Sequence, residues 1–228
     1  MSRAEPRRTV RAMAKAYKGI GMEGAIARWY ARNTRGDARE YRKIARAVAD
    51  RLPAGAHVLE LAPGPGYLAI ELAKLGLRVT GLDISRTFVH MAAENARAAG
   101  VDVDFRLGDA AHTPFADGEF EFALCRAAFK NFSDPLGALQ EIHRVLAPGG
   151  RASVLDLRRD ASRDAIEREI AAMQLSPLNR WLTRWTFRHM LLPRAYSNDD
   201  LARMCSESRF GRGEIVADGI GFELRLAR

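Results

Sequence analysis

Two cysteines in 228 residues, with no metal-type spacing between them, leave no disulfide framework and no cysteine zinc site to expect. Cys125 closes an apolar run and reads as a small buried hydrophobe. No apolar run approaches the roughly 18 residues that a membrane span requires. The start, MSRAEPRRTVRAMAKAY, is basic but lacks the apolar stretch of a secretory signal. Arg7-Arg8 therefore reads as a surface pair, and the expected setting is a reducing cytoplasm. Aromatic residues make up 8% of the chain and do not interleave with basic ones as in single-strand binders, so nucleic acid is not an expected partner. No His/Asp cluster has ligand spacing, and no metal site is expected. Internal repeats and low-complexity linkers are also lacking.

What is present suits one α/β domain with a modest extension. Hydrophobic residues, at 47%, suffice for a sizeable core. The net charge of +8 is unevenly placed: through Arg51 there are 14 Lys and Arg against 5 Asp and Glu, and afterwards 22 against 23. That basic extension is either a solvated helix face or a patch for an anionic small molecule.

The stretch His57–Ser85, HVLELAPGPGYLAIELAKLGLRVTGLDIS, is the most informative. It reads as strand, glycine loop, helix, strand and acid, the outline of a nucleotide-binding βαβ unit. Gly64 and Gly66 permit a sharp turn and close approach to a ligand. The loop opens a helix whose first N–H groups favour an anionic or polar group. Asp83, at the carboxyl end of the second strand, is placed to accept hydrogen bonds from two ribose hydroxyls. Gly64, Gly66 and Ala69 also fit a loose G-x-G-x-x-A, which a nicotinamide dehydrogenase shows. Glu60 inside the first strand and a second acidic site, Gly108-Asp109-Ala110, point away from that reading.

Together these motifs resemble the class I S-adenosylmethionine-dependent methyltransferases over roughly residues 53–157. Their first motif, E/D-x-G/A-x-G-x-G, is matched by Glu60-Leu61-Ala62-Pro63-Gly64-Pro65-Gly66, with Ala62 where many members have glycine. Asp83 matches the ribose-binding acid, and Asp109-Ala110 the adenine-contact motif. The later block Leu146-Ala147-Pro148-Gly149-Gly150 is matched as well. The closest likeness is to the small-molecule branch that includes ubiquinone/menaquinone-type C-methyltransferases. The resemblance implies S-adenosyl-L-methionine as cofactor, held by Tyr30, Glu60, Ala62, Gly64, Pro65, Gly66, Asp83, Ile84, Asp109, Ala110 and Arg126. It implies a methyltransferase acting on a small-molecule acceptor, anionic or aromatic, at O, C or N. An S-adenosylmethionine-consuming cyclase or lyase, or a non-methylating cofactor-binding protein, is the alternative. The Asn/Asp-Pro-Pro-Tyr/Phe motif typical of amino-group methylation of bases or glutamine is absent.

The expected fold is α/β and Rossmann-like: a mostly parallel seven-stranded sheet with an antiparallel final strand, an N-terminal helical lid and a helical insertion after strand five. Strands are expected near 57–61, 78–82, 102–107, 120–125 and 151–156, then at 213–218 and 221–226, with Arg225 at an exposed edge. Residues 1–52 form the lid, broken at Gly19-Ile20-Gly21 and at Thr34–Asp37, with Tyr17, Met22, Trp29 and Tyr30 lining it. Residues 53–228 form the Rossmann-like domain, with a cap at about 158–196. In the cap, Arg180, Arg184 and Arg188 recur at i, i+4, i+8, beside a stripe of Trp181, Trp185, His189 and Leu192. No acid occurs between Ile170 and Asn198. Three readings of this helix compete: a substrate cover, a homodimer or packing helix, and a membrane-surface helix. Arg126, Lys130, Asn131 and His189 are the candidates for acting on the acceptor, with a solvated Lys130 as the plain alternative. None of the five histidines has a carboxylate partner evident in the sequence.

Overall fold

A computed structural model describes residues 17–18, 21–34, 36, 38–173 and 175–228. The short helix expected before Gly19 lies outside the described residues, as do Arg35 and Asp37 of the expected turn. Seven strands form one sheet in the order β3-β2-β1-β4-β5-β7-β6. They are β1 (His57–Leu61), β2 (Arg78–Asp83), β3 (Asp104–Leu107), β4 (Phe120–Arg126), β5 (Leu146–Leu157), β6 (Glu214–Asp218) and β7 (Gly221–Ala227). The first five run parallel, and β7 is antiparallel to both neighbours. This is the expected Rossmann-like sheet, with its antiparallel final strand.

The chain moves outward from β1 to β2 and β3, then returns to β1's other side for β4. A crevice therefore opens at the carboxyl ends of β1 and β4, where open α/β sheets bind ligands. The period of two assigns residues to the two faces. Leu59, Leu61, Ala123 and Cys125 pack under α5 (Pro135–Val145) and α8 (Asn198–Glu207). Val58, Phe122 and Leu124 pack on the other face, under α2 (Ala38–Ala49) and α3 (Tyr67–Lys74). By the same alternation Glu60 and Arg126 belong to the α2/α3 side. Helix α2 contributes Tyr41, Ala45 and Val48, an i, i+4, i+7 stripe. Helix α1 (Gly24–Thr34) precedes it, and α4 (Arg86–Ala98) follows β2, capped by the Ser85 hydroxyl.

Three expectations need correction. Strand β5 starts at Leu146, not near 151, and takes in the Pro148–Gly150 segment through a register shift between Phe120 and Phe122. Arg225 is not on an edge strand: β7 lies between β5 and β6, and Arg225 pairs with Glu223 at 2.8 Å. The cap is not one regular helix. It comprises α6 (Arg163–Ala172), α7 (Pro177–Thr186), a π turn at Phe187–Leu191 and a 3₁₀ turn at Leu192–Arg194. The wider π turn takes Arg188 out of the row formed by Arg180 and Arg184. Ser162 caps α6 and Ser197 caps α8, the latter in a capping box with Asp200. A small cluster of Ala165, Ile170, Phe187 and Ile220 joins the cap to the end of the sheet.

Candidate active site

The glycine loop is built by backbone conformation and locked by one carboxylate. Gly66 begins α3 at φ 79°, and a Cβ there would stand 2.8 Å from Ala92 and from the Phe105 ring. Only glycine meets both conditions. The Gly64 N–H donates to one Asp83 oxygen at 3.0 Å, and the Ser85 N–H donates to the other at 2.8 Å. Asp83 thus ties the loop after β1 to the turn after β2. Ala62, at φ 54°, and Ala127, at φ 58°, are the non-glycine residues at positive φ among those described. They stand at the ends of β1 and β4, so the crevice is walled by strained backbone. The left-handed turn at Ala62 also explains why glycine is common in that place.

Six of the residues expected at the cofactor, Tyr30, Glu60, Ala62, Gly64, Pro65 and Arg126, line one cleft of about 40 Å³. Tyr41 and Tyr67 line it too. Their rings lie 5.8 Å apart, the Arg126 guanidinium stands 4.8 Å over Tyr41, and the Tyr67 hydroxyl donates to the Ala31 carbonyl. Tyr30 meets Phe88 edge-on at 5.9 Å. A larger groove of about 380 Å³ lies beyond Tyr41 and Tyr67, between α2, α3 and α4. The glycine loop and Glu60 line only the smaller cleft, which therefore carries the chemistry.

The cleft's charge is unusual. Glu60 is 3% exposed, and its Oε2 has no hydrogen-bond partner. Burial pushes its carboxyl up to about 8, against the attraction of Arg126. Burial also raises Asp83 to about 6, opposed by the N–H groups of Ser85 and Gly64. A buried carboxyl with one oxygen unpartnered, beside a glycine loop, fits a ligand that brings its own donors and positive charge. Each Asp83 oxygen accepts one N–H and has a lone pair left for a hydroxyl. These features fit the amino group and ribose of S-adenosylmethionine.

The N-terminal segment reaches across the crevice. The Lys18 N–H donates to the Asn131 carbonyl at 2.8 Å, and Tyr17 bridges to Phe132. Ser85 donates its hydroxyl to the Met22 carbonyl. The Glu23 carboxylate accepts the N–H groups of Arg86 and Thr87, at the start of α4. The Tyr17 phenol is raised by burial, with Arg194 opposing and Asp83 and Asp156 adding to the shift.

Lys130 corrects both of its readings. It is neither solvated nor turned to an acceptor: its Nζ donates to Asp156 at 2.7 Å and to the Ala127 carbonyl at 2.9 Å. The Lys130 N–H also binds Asp156, so the pair fastens the strained turn after β4 to β5. Asn131 is half-buried, and His189 is exposed on the π turn, stacked on Trp185 at 5.5 Å. Neither lines the cleft. Asp109 accepts the Ala111 N–H, while Ile84, Ala110 and Gly66 border the site without lining the cleft. Two histidines do face carboxylates, His90 with Glu94 at 3.2 Å and His112 with Asp109 at 3.5 Å, at helical or turn spacing. Among the described residues no group of His, Cys, Asp or Glu is arranged to hold a metal ion.

With this geometry in place, comparison with known proteins shows what the core resembles. A family model described as a methyltransferase domain matches residues 59–154. The chain is 42% identical over 101 residues to a demethylmenaquinone methyltransferase of Thermus thermophilus, covering 43% of this chain and 46% of that protein. It is 32% identical over 146 residues to the O-methyltransferase resE of Aspergillus sclerotiorum, covering 60% and 55%. The matched part thus spans about half the length of these curated relatives. Among solved structures, a SAM-dependent methyltransferase of Aquifex aeolicus shares the fold at a TM-score of 0.62 and 18% identity, over 84% of this chain and 98% of that one. The [4+2]-cyclase SpnF does so at 0.55 and 21%, over 82% and 80%. At such identities the likeness carries the fold alone.

Proposed function

We propose that this chain binds S-adenosyl-L-methionine and transfers its methyl group to a small aromatic or anionic acceptor, of the quinone-precursor or phenol class. The single observation that carries the reading is the buried Glu60 carboxyl in the cleft formed by the glycine loop, with its Oε2 lacking a hydrogen-bond partner. The acceptor class rests on relatives named for demethylmenaquinone methylation and for O-methylation. Glu60, Tyr30 and Arg126 hold the amino-acid end of the cofactor. Asp83 and Ile84 hold the ribose, Asp109 and Ala110 the adenine, and Ala62, Gly64, Pro65 and Gly66 form the turn against it.

Bound there, the cofactor supplies a methyl group already activated by sulfonium charge. The chain's contribution is alignment and exclusion of water. Residues 1–52 are a lid over the domain of residues 53–228, Tyr30 and Tyr41 of α1 and α2 lining the cleft, with the cap at 158–196 beside it. A phenolate or enolate-like acceptor needs no strong base, in keeping with the absence of a histidine from the cleft lining. Two buried free cysteines suit a reducing cytoplasm.

The test is product analysis after incubation with S-adenosylmethionine and a panel of phenols and demethylated quinones. S-adenosylhomocysteine with a methylated acceptor is expected. Methylthioadenosine with no S-adenosylhomocysteine would identify a cyclase or lyase instead.

A further inference from the structure

Helix α7 is mounted with its apolar side outward. Leu178, Trp181, Leu182 and Trp185 fall at i, i+3, i+4 and i+7, on one face. In a soluble domain that stripe ordinarily packs inward. Here the four are 67%, 58%, 45% and 47% exposed, and α7 has no buried residue at all. Its opposite side holds it to the protein: Arg184 forks onto Glu167 of α6 with both nitrogens. Met190, in the π turn beyond, is also exposed.

The charges carried by the segment of the stripe itself have one sign. From Ala171 to Ser197 the chain has no Asp or Glu, but it has Arg180, Arg184, Arg188 and Arg194. Arg180, Arg188 and Arg194 are exposed. Indole rings at a water–lipid boundary, flanked by guanidinium groups, are the chemistry of an interfacial helix on an anionic bilayer. A solvated face would have mixed charges and no paired tryptophans.

From this geometry we infer that α7 and its π turn dock the protein onto an anionic lipid bilayer, with Leu178, Trp181, Leu182 and Trp185 at the acyl boundary and Arg188 at the phosphates. Docking holds whatever atom is methylated. Failure of methyl transfer leaves it standing, and failure of docking leaves the cofactor cleft standing.

The test is flotation of the full chain with vesicles of phosphatidylcholine alone, and with vesicles of equimolar phosphatidylcholine and phosphatidylglycerol. Tryptophan fluorescence is read in parallel on a Trp29→Phe background, so that Trp181 and Trp185 are the reporters. The protein should float with the anionic vesicles, its emission should shift to the blue, and added salt should weaken both effects. Replacing Trp181 and Trp185 with Glu should reduce the bound fraction by about tenfold or more. Arg188→Glu should weaken the preference for phosphatidylglycerol several-fold. Unchanged S-adenosylhomocysteine binding by calorimetry verifies that each variant is folded. Three results overturn the inference: wild type that floats with neither vesicle, a tryptophan variant that floats as wild type does, or a concentration-dependent dimer in the ultracentrifuge that the tryptophan variant dissociates.

Discussion

The crevice beside β1 and the cap after β5 break opposite rules. In the crevice, carboxyl groups are buried, Glu60 without a partner for one oxygen and Asp83 held only by backbone N–H groups. In the cap, large apolar side chains are exposed along one helix face. Soluble proteins ordinarily do neither over several residues. The difference teaches where each region expects its partner: one Glu60 oxygen in the crevice lacks a donor, and the cap lacks an apolar cover. The apolar residues packed on both faces of the sheet supply the stability that makes the two departures tolerable.

The contrast is most open to attack at its buried charges. Lys130→Ala leaves Asp156 buried without its cation and should cost about 3–5 kcal/mol in urea unfolding. A loss under about 1 kcal/mol would mean that the pair is not the clamp after β4. Asp83→Ala removes the acceptor for two backbone N–H groups and for the ribose. Calorimetric affinity for S-adenosylhomocysteine should fall by about 2–4 kcal/mol, and unchanged affinity would remove Asp83 from the site.

Glu60 gives a pH signature. Its folded pKa, about 8, lies above the usual carboxylate value, so the folded chain holds a proton that the unfolded chain has released. Stability from this group is fully present below the unfolded pKa and declines as pH rises toward 8. Binding a cationic amino group displaces that proton. Affinity for the cofactor should therefore rise with pH toward 8, by up to about tenfold per pH unit, and Glu60→Gln should flatten the profile. A pH-independent wild type would show that Glu60 does not meet the cation.

Smaller effects sharpen the comparison. Ala62→Gly relieves a left-handed alanine and should raise stability by about 1 kcal/mol, read as a higher denaturation midpoint. Trp181→Ala, in the exposed stripe, should change stability by less than about 0.5 kcal/mol in the absence of lipid. A larger loss would show that the indole already packs on protein.

The two regions also differ in how far their sequence reveals them. The loop, Asp83 and the first strands follow from local signals: a glycine turn, a helical repeat and an acid within thirty residues of one another. The alternation of β1 and β4 even predicts that Glu60 and Arg126 share a face. Lys130 was misread because its partner, Asp156, is 26 residues away on another strand, and spacing carries no trace of such a pair. Nothing local in the sequence reveals that Tyr41 and Tyr67 both line the cleft. In the cap, periodicity gives the apolar stripe but not its direction. That is decided by the Arg184–Glu167 contact and by the π turn, and no repeat announces either.

The most direct test of the cofactor assignment is calorimetric titration of the wild-type chain with S-adenosylmethionine and, separately, with NADH, near neutral pH in two buffers of different ionisation enthalpy. One S-adenosylmethionine should bind per chain with proton release, and NADH should not bind. Binding of NADH without S-adenosylmethionine would contradict the assignment.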